Sequence, residues 1–160
     1  MEWFYLSRIN FKKGKEMSFH YVSRAIIIQK NHLLVCHAKG DQNSYLPGGH
    51  IEIGEKAECA LKREIKEEIC CEIADINFFG AIENKWINGN QEEFELNLIF
   101  KVSLVNLNYP DIPHSNEPHL TFSWMDLNKI DKSKLEPHPL RDDLKNIEWA
   151  HATINKWPVE

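Results

Sequence analysis

The sequence is short of several things, and each shortage removes a class of protein. No apolar run in its 160 residues reaches the ~18 that a membrane-spanning helix requires. The start, Met1-Glu2-Trp3-Phe4-Tyr5, has no basic stretch leading into a long apolar one, so no secretory signal is read there and a cytoplasmic location is expected. Cysteine is scarce: Cys36, Cys59, Cys70 and Cys71 have no paired CxxC spacing, which suits neither a zinc knuckle nor a disulfide framework and leaves reduced thiols as the simplest reading. Seven glycines and seven prolines without a period exclude collagen-like and low-complexity chains. Basic residues are outnumbered, 19 against 24 acidic, for a net charge of −5. Such a chain has no global attraction for a phosphate backbone, so nucleic acid is not the expected partner. Phosphorylated ligands would call for metal ions to bridge like charges.

What remains is the composition of a globular protein, 42% hydrophobic and 27% charged, of a size that fits one domain. Residues 1–16, interrupted by Lys12-Lys13-Gly14-Lys15, read as an extension or an edge strand, with one domain over 17–160. Ala25–Ile28 and Leu33–Cys36, around the polar Lys30-Asn31-His32, predict a β-hairpin. Further strands are expected at Ile73–Ile82, Phe94–Leu104 and Leu120–Met125, with a turn at Asn88-Gly89-Asn90 and a long loop over Asn108–Pro118. Leu140, Leu144, Ile147, His151 and Ile154 after Pro139 have the spacing of a closing amphipathic helix. Strands and helices interleave, so the fold class is mixed α/β.

Three of the seven glycines, Gly48, Gly49 and Gly54, fall within seven positions, marking a loop where backbone approaches something closely. The stretch from Glu55 to Ile69 follows without Gly or Pro, and Ala57, Leu61 and Ile65 recur at helical spacing. On that helix Glu64 and Glu68 point the same way as the apolar stripe, Glu67 lies at its edge, and Lys56, Lys62, Arg63 and Lys66 fall opposite. Carboxylates at i, i+3 and i+4 beside a core are costly unless paired or bound to cations. Their oxygens suit Mg²⁺ or Mn²⁺ better than zinc, and the Gly48-Gly49 loop could add a backbone carbonyl.

Gly49, five residues, Glu55, seven residues, then Arg63-Glu64-Ile65-Lys66-Glu67-Glu68 resembles the signature of the Nudix hydrolases. Six identities at fixed spacing would arise by chance in roughly one chain of this length in 10⁵. Leu46-Pro47-Gly48 is similar to the family's usual approach to that box. One departure is Cys70, where the pattern usually has Gly, followed by Cys71 at a normally aliphatic place. A left-handed helix end at Cys rather than Gly would cost about 1 kcal/mol. A modified helix terminus is therefore expected rather than lost chemistry.

The resemblance implies an α/β/α architecture, a mixed sheet sandwiched between helices, and hydrolysis of a nucleoside diphosphate linked to some other moiety. It implies that Glu64, Glu67 and Glu68 hold divalent metal with the Gly48 carbonyl, and that Arg63 pairs with carboxylates, Glu55 among them. It also implies a further acid from a later loop, as ligand or general base. Glu117 fits best, with Asp111 and Glu93 as rivals and His119 beside Glu117 as an aid to proton transfer; Glu64 is the other candidate base. A stacking surface for a base is sought among Tyr45, Trp86, Phe94 and Trp124, with Trp86 preferred. Two other functions stay open: a nucleotide-sensing domain without turnover, and pyrophosphohydrolysis at RNA 5′ ends. A homodimer is common in the resemblance.

Overall fold

The computed structural model describes residues 17–145. The expectations for residues 1–16, and for the closing helix beyond Lys145, lie outside that range. Six strands and two helices follow in the order β1 (Met17–Ile26), β2 (Ile28–Gln29), β3 (His32–Ala38), α1 (Ala57–Ile69), β4 (Glu72–Asn88), β5 (Gln91–Val105), β6 (Leu120–Asp126) and α2 (Pro139–Lys145), with a 3₁₀ turn at Leu127–Lys132 before α2.

The strands form two three-stranded sheets. In one, β5 lies between β1, which it meets in parallel, and β4, which it meets antiparallel; the other is antiparallel in the order β2-β3-β6. The predicted hairpin is present in part. Lys30 and Asn31 make a tight turn with positive φ, Ile28 and Gln29 pair across it, and the Leu34 amide donates to the Ile27 carbonyl at 2.9 Å. Ala25 and Ile26 leave to pair with Phe100 and Lys101 of β5. The expected strands around Ile73 and Phe94 are also longer. They run on as one ladder until Asn88 meets Gln91, so Asn84 and Trp86, beyond the expected end at Ile82, lie on a strand.

Burial explains the layering. Along β3, Leu34 and Cys36 join a cluster with Leu61, Ile65 and Ile69 of α1. Leu33 and Val35 join a second one with Leu140 and Leu144 of α2 and with Ile130. Successive side chains of a strand point to opposite faces, so β3 is buried on both and helices cover each side. The α/β/α layering implied by the resemblance is the architecture seen.

The segment between β3 and α1 stitches the sheets together. Tyr45 exchanges backbone hydrogen bonds of 2.9 Å with Cys36 of β3. Further on, the amides of Ala25 and Ser23 donate to the carbonyls of Pro47 and Gly49, and the Ile51 amide to Tyr21, each at 2.9 Å. Residues 47–51 therefore pair along the outer edge of β1, which covers an edge that would otherwise stay open. Helix α1 ends on Cys70 in the left-handed conformation (φ 53°, ψ 24°), the geometry expected of the missing glycine. A left-handed L-residue costs about 1–2 kcal/mol, partly offset because Gly loses about 0.5–1 kcal/mol more on ordering. Cys70→Gly is expected to raise stability by roughly 0.5 kcal/mol, seen as a rise of one to two degrees in Tm. A fall instead would show that the Asn116 Nδ2 contact to the Cys70 Sγ, at 2.7 Å, outweighs the strain.

Candidate active site

The two loop glycines are where α1, β1 and the connecting segment touch. Gly48 has φ +119°, and a Cβ there would collide with the Ser23 carbonyl oxygen and come within 2.9 Å of Leu61 Cδ1. At Gly49 a Cβ would lie 2.6 Å from the Glu64 carboxyl group. The backbone can come this close to the helix only because both positions lack side chains. Gly48 is gripped from two directions. Its amide donates to Glu68 Oε2 at 3.1 Å, while its carbonyl accepts from Arg24 Nη1, which also donates to the Leu46 carbonyl at 3.3 Å. The carbonyl expected to face a metal is thus held by Arg24, a residue the sequence reading did not single out.

The carboxylates differ in environment as the helical wheel requires. Glu68 is buried at 4% exposure, the Glu64 side chain is 16% exposed and that of Glu67 54%. Burial raises the pKa of Glu68 to about 7, with the charges of Glu64 and Glu117 adding to it against the Gly48 amide and Arg24. Burial likewise raises Glu64, against Arg63. Arg63 is not on a solvated face with the lysines but half-buried. Its Nε and Nη2 donate to the two Glu55 oxygens at 3.1 and 2.9 Å, and Nη2 also donates to the His50 carbonyl at 3.0 Å. The Arg63 bonds hold Glu55 below the usual carboxylate range, and Glu55 in turn raises Arg63.

Nη1 of Arg63 stands between Glu64 and Glu67, at 2.7 and 3.1 Å. Among the described residues, no three His, Cys, Asp or Glu side chains converge closely enough to hold a metal ion in this arrangement. The three carboxylates expected together are therefore held apart: Glu68 is buried on the Gly48 amide, Glu67 is exposed, and Arg63 stands between Glu67 and Glu64. The donor set still fits a hard cation: the candidate donor atoms are oxygens, and burial works against the charged forms of Glu64 and Glu68, which a cation would favour.

The loop between β5 and β6 is pinned to this region. The Asn116 amide donates to the Glu68 carbonyl at 2.8 Å, and Trp124 Nε1 donates to the Asp111 carbonyl at the same distance. Glu117 sits next to that anchor, and its charge acts on Glu68. Its Oε2 lies 3.1 Å from His119 Nε2. Of the rivals, Asp111 is exposed and Glu93, on β5, is bonded to His20 of β1. Trp124 packs edge-on to Tyr109 and against the α1-side core, and Phe94 lies under the Lys85 ammonium, so neither joins the site.

Tyr45 and Trp86, far apart in sequence, line one cavity of about 440 Å³, together with Arg24, Asn84, Glu95 and Asn97. The register explains it. Across β1, β5 and β4, the rows Ser18–Glu93–Trp86, His20–Glu95–Asn84 and Val22–Asn97–Ile82 fall on one face. The signal was present in β5, where Glu93, Glu95 and Asn97 alternate with Phe94, Leu96 and Leu98. Two of those polar residues are buried, Glu93 at 6% and Asn97 at 1% exposure, which an ordinary solvated face would not show.

Comparison with known proteins decides the family. The model of the NUDIX domain matches residues 19–147. The chain belongs to the Nudix family. Nudix hydrolases act on nucleoside diphosphates linked to another moiety and generally use divalent metal ions, and membership makes this chain a Nudix-type pyrophosphohydrolase. Similar solved Nudix structures include the MutT NUDIX hydrolase of Burkholderia pseudomallei, at 20% identity and a TM-score of 0.61 over 81% of this chain and 98% of that one. A NUDIX hydrolase of Nitrosomonas europaea follows at 18% and 0.57, over 79% and 85%. At these identities the likeness is one of fold. No curated protein matches significantly. Among the described residues of this Nudix chain, no helix is long and apolar enough to cross a membrane.

Proposed function

We propose that this Nudix chain hydrolyses the diphosphate bond of a small nucleotide whose ring occupies the Tyr45–Trp86 cavity. The observation that carries this reading is the double hold on Gly48, by Glu68 from α1 and by Arg24 from the cavity wall. One residue thereby joins a ring-sized, aromatic-edged cavity to the buried carboxylates, and its volume is in the range of small-molecule sites. Glu64, Glu67 and Glu68, with the Gly48 carbonyl, would hold the divalent cation, Mg²⁺ or Mn²⁺. That cation supplies charge screening at the phosphates and acidification of the attacking water. Arg24 orients a phosphate between cavity and carboxylates. Arg63 holds Glu55, Glu64 and the His50 carbonyl together, so that the loop and helix keep one geometry. Glu117 takes the proton of the attacking water, and His119, in contact with it, shares that proton.

The test is phosphate release from a panel of nucleoside triphosphates and nucleotide sugars, with Mg²⁺, with Mn²⁺ and with chelator. Chelator-sensitive turnover of one class is the expected result. Silence across the panel, with nucleotide binding retained, would overturn the hydrolytic reading in favour of a sensing domain. In the same assay Glu117→Ala should lower kcat by about 10²-fold or more at saturating metal, the contribution of a positioned base. An unchanged rate would return Glu117 to being a loop residue.

A further inference from the structure

His20 and Glu93, which none of the steps above uses, link Trp86 of the cavity wall to His50 of the loop before α1. His20 of β1 lies with its ring 5.5 Å from that of Trp86, the planes 24° apart. Both ring nitrogens of His20 are engaged. Nε2 donates to Oε2 of Glu93 at 3.1 Å, and Nδ1 lies 3.0 Å from His50 Nε2. The Glu93 side chain is only 8% exposed and that of His20 21%. A carboxylate is rarely placed so deep without a purpose, and here the imidazole is a partner to it among the described residues.

The rows of the sheet show what the arrangement does. Trp86 is opposite Glu93 across β4 and β5, and Glu93 is opposite Ser18 of β1, so His20 reaches Trp86 over the middle strand. Trp86 stands close to the Asn88–Gln91 turn, with 37% of its surface exposed, where a ring would otherwise sample several rotamers. An imidazole tied at both nitrogens cannot turn, and a ring stacked on it inherits that order. The far tether leads on to the catalytic loop. The His50 backbone bridges Val22, and its carbonyl accepts from Arg63, which holds Glu64.

The geometry points to His20 as a positioning residue, locked by Glu93 and His50, that sets the Trp86 ring as the platform for the nucleobase and ties it to the loop bearing the carboxylates. This rests on the reading of the cavity as the ring site. Preorganisation of this kind acts through binding, because a ring already in place loses no rotamer freedom when ligand arrives. Its effect is confined to ligands that carry a ring to stack.

The test measures binding of AMP, GMP, CMP and UMP by calorimetry in the full chain, with ribose 5-phosphate as the base-free control. Trp86→Ala should weaken the best-bound monophosphate about tenfold or more, the scale of one base–aromatic stack. His20→Leu should give a three- to tenfold loss and leave ribose 5-phosphate unchanged. Glu93→Gln keeps an oxygen to accept from His20 Nε2 and should bind like the wild type, whereas Glu93→Leu should match His20→Leu. Nucleotide binding unaffected by Trp86→Ala would sink the stacking reading itself. A loss in Trp86→Ala with wild-type binding in both His20→Leu and Glu93→Leu would overturn the positioning role alone. Equal losses for nucleotide and ribose 5-phosphate would show general damage to the fold and overturn it too; His20→Phe, which keeps an aromatic ring without tethers, checks that outcome.

Discussion

Glu68→Gln is expected to do two opposite things: abolish turnover and make the metal-free protein more stable at pH 8. The carboxyl group is buried, and burial raises its pKa to about 7. In the unfolded chain it ionises at the ordinary glutamate value, so between those two points the folded state holds a proton that the unfolded state has lost. Stability from this group is therefore fully present below about pH 4.5 and is lost as pH rises to about 7. The gap corresponds to about 3 kcal/mol, a large share of the 5–15 kcal/mol that holds an ordinary domain together. A glutamine can still accept from the Gly48 amide but carries no charge to desolvate.

Melting curves in chelator at pH 5 and pH 8 check this. The wild type should lose more Tm over that interval than Glu68→Gln, because the variant lacks this titration. Added Mg²⁺ or Mn²⁺ should raise the wild-type Tm at pH 8 and leave the variant nearly unmoved. Loss of kcat should be at least about 10³-fold, the scale of removing several kcal/mol of charge stabilisation. Turnover near wild type would remove Glu68 from the cation site. A variant less stable than wild type at pH 8 would mean that the buried charge is compensated after all.

The two loop glycines should fail in different ways. Gly48→Ala forces a side chain onto a backbone with φ +119° and into the Ser23 carbonyl, and neither can yield without moving β1. Strain of about 1–3 kcal/mol and overpacking of a similar size add to about 2–6 kcal/mol, or about 10 °C in Tm. Gly49→Ala meets the carboxyl end of the Glu64 side chain instead, which can rotate away at the expense of its Arg63 contact. That variant should melt within a few degrees of the wild type yet lose activity by about 10²-fold, since Glu64 is displaced. Thermal melts read beside the phosphate assay distinguish the cases. An unaltered Tm for Gly48→Ala would mean that residues 47–49 can detach from β1, and full activity in Gly49→Ala would mean that Glu64 is not needed where it stands.

Helix α1 and its carboxylates were legible because everything that specifies them is local: a glycine-free stretch, a 3.6-residue period, and acids that break it. Cys70 was legible for the same reason, since a helix end is decided within a few residues. The parallel partner of β1 was not. Ala25–Ile28 reads as one apolar run, and nothing nearby says that it divides between two sheets. Arg24 and the polar row of β5 were missed because their meaning lies in a neighbour across the sheet. The period of two was visible at Glu93, Glu95 and Asn97, but only pairing with His20 and Asn84 turns an alternating strand into the wall of a cavity.

The parallel ladder between β1 and β5 also says when the site can exist. Met17 pairs with Glu92, 75 positions further along the chain. At about 5–20 residues per second, a ribosome releases β1 roughly 4–15 s before its partner has been made. Through that interval the strand bearing His20 and Arg24 has no sheet to join, and pairing over so long a loop is intrinsically slow. His20 reaches Trp86, and Arg24 faces Glu95 and Asn97 across the cavity, only once that ladder has closed. A chain halted before Gln91 would hold the complete helix of acids and no place for a nucleotide, so ligand-binding competence arrives late in synthesis, as a single event.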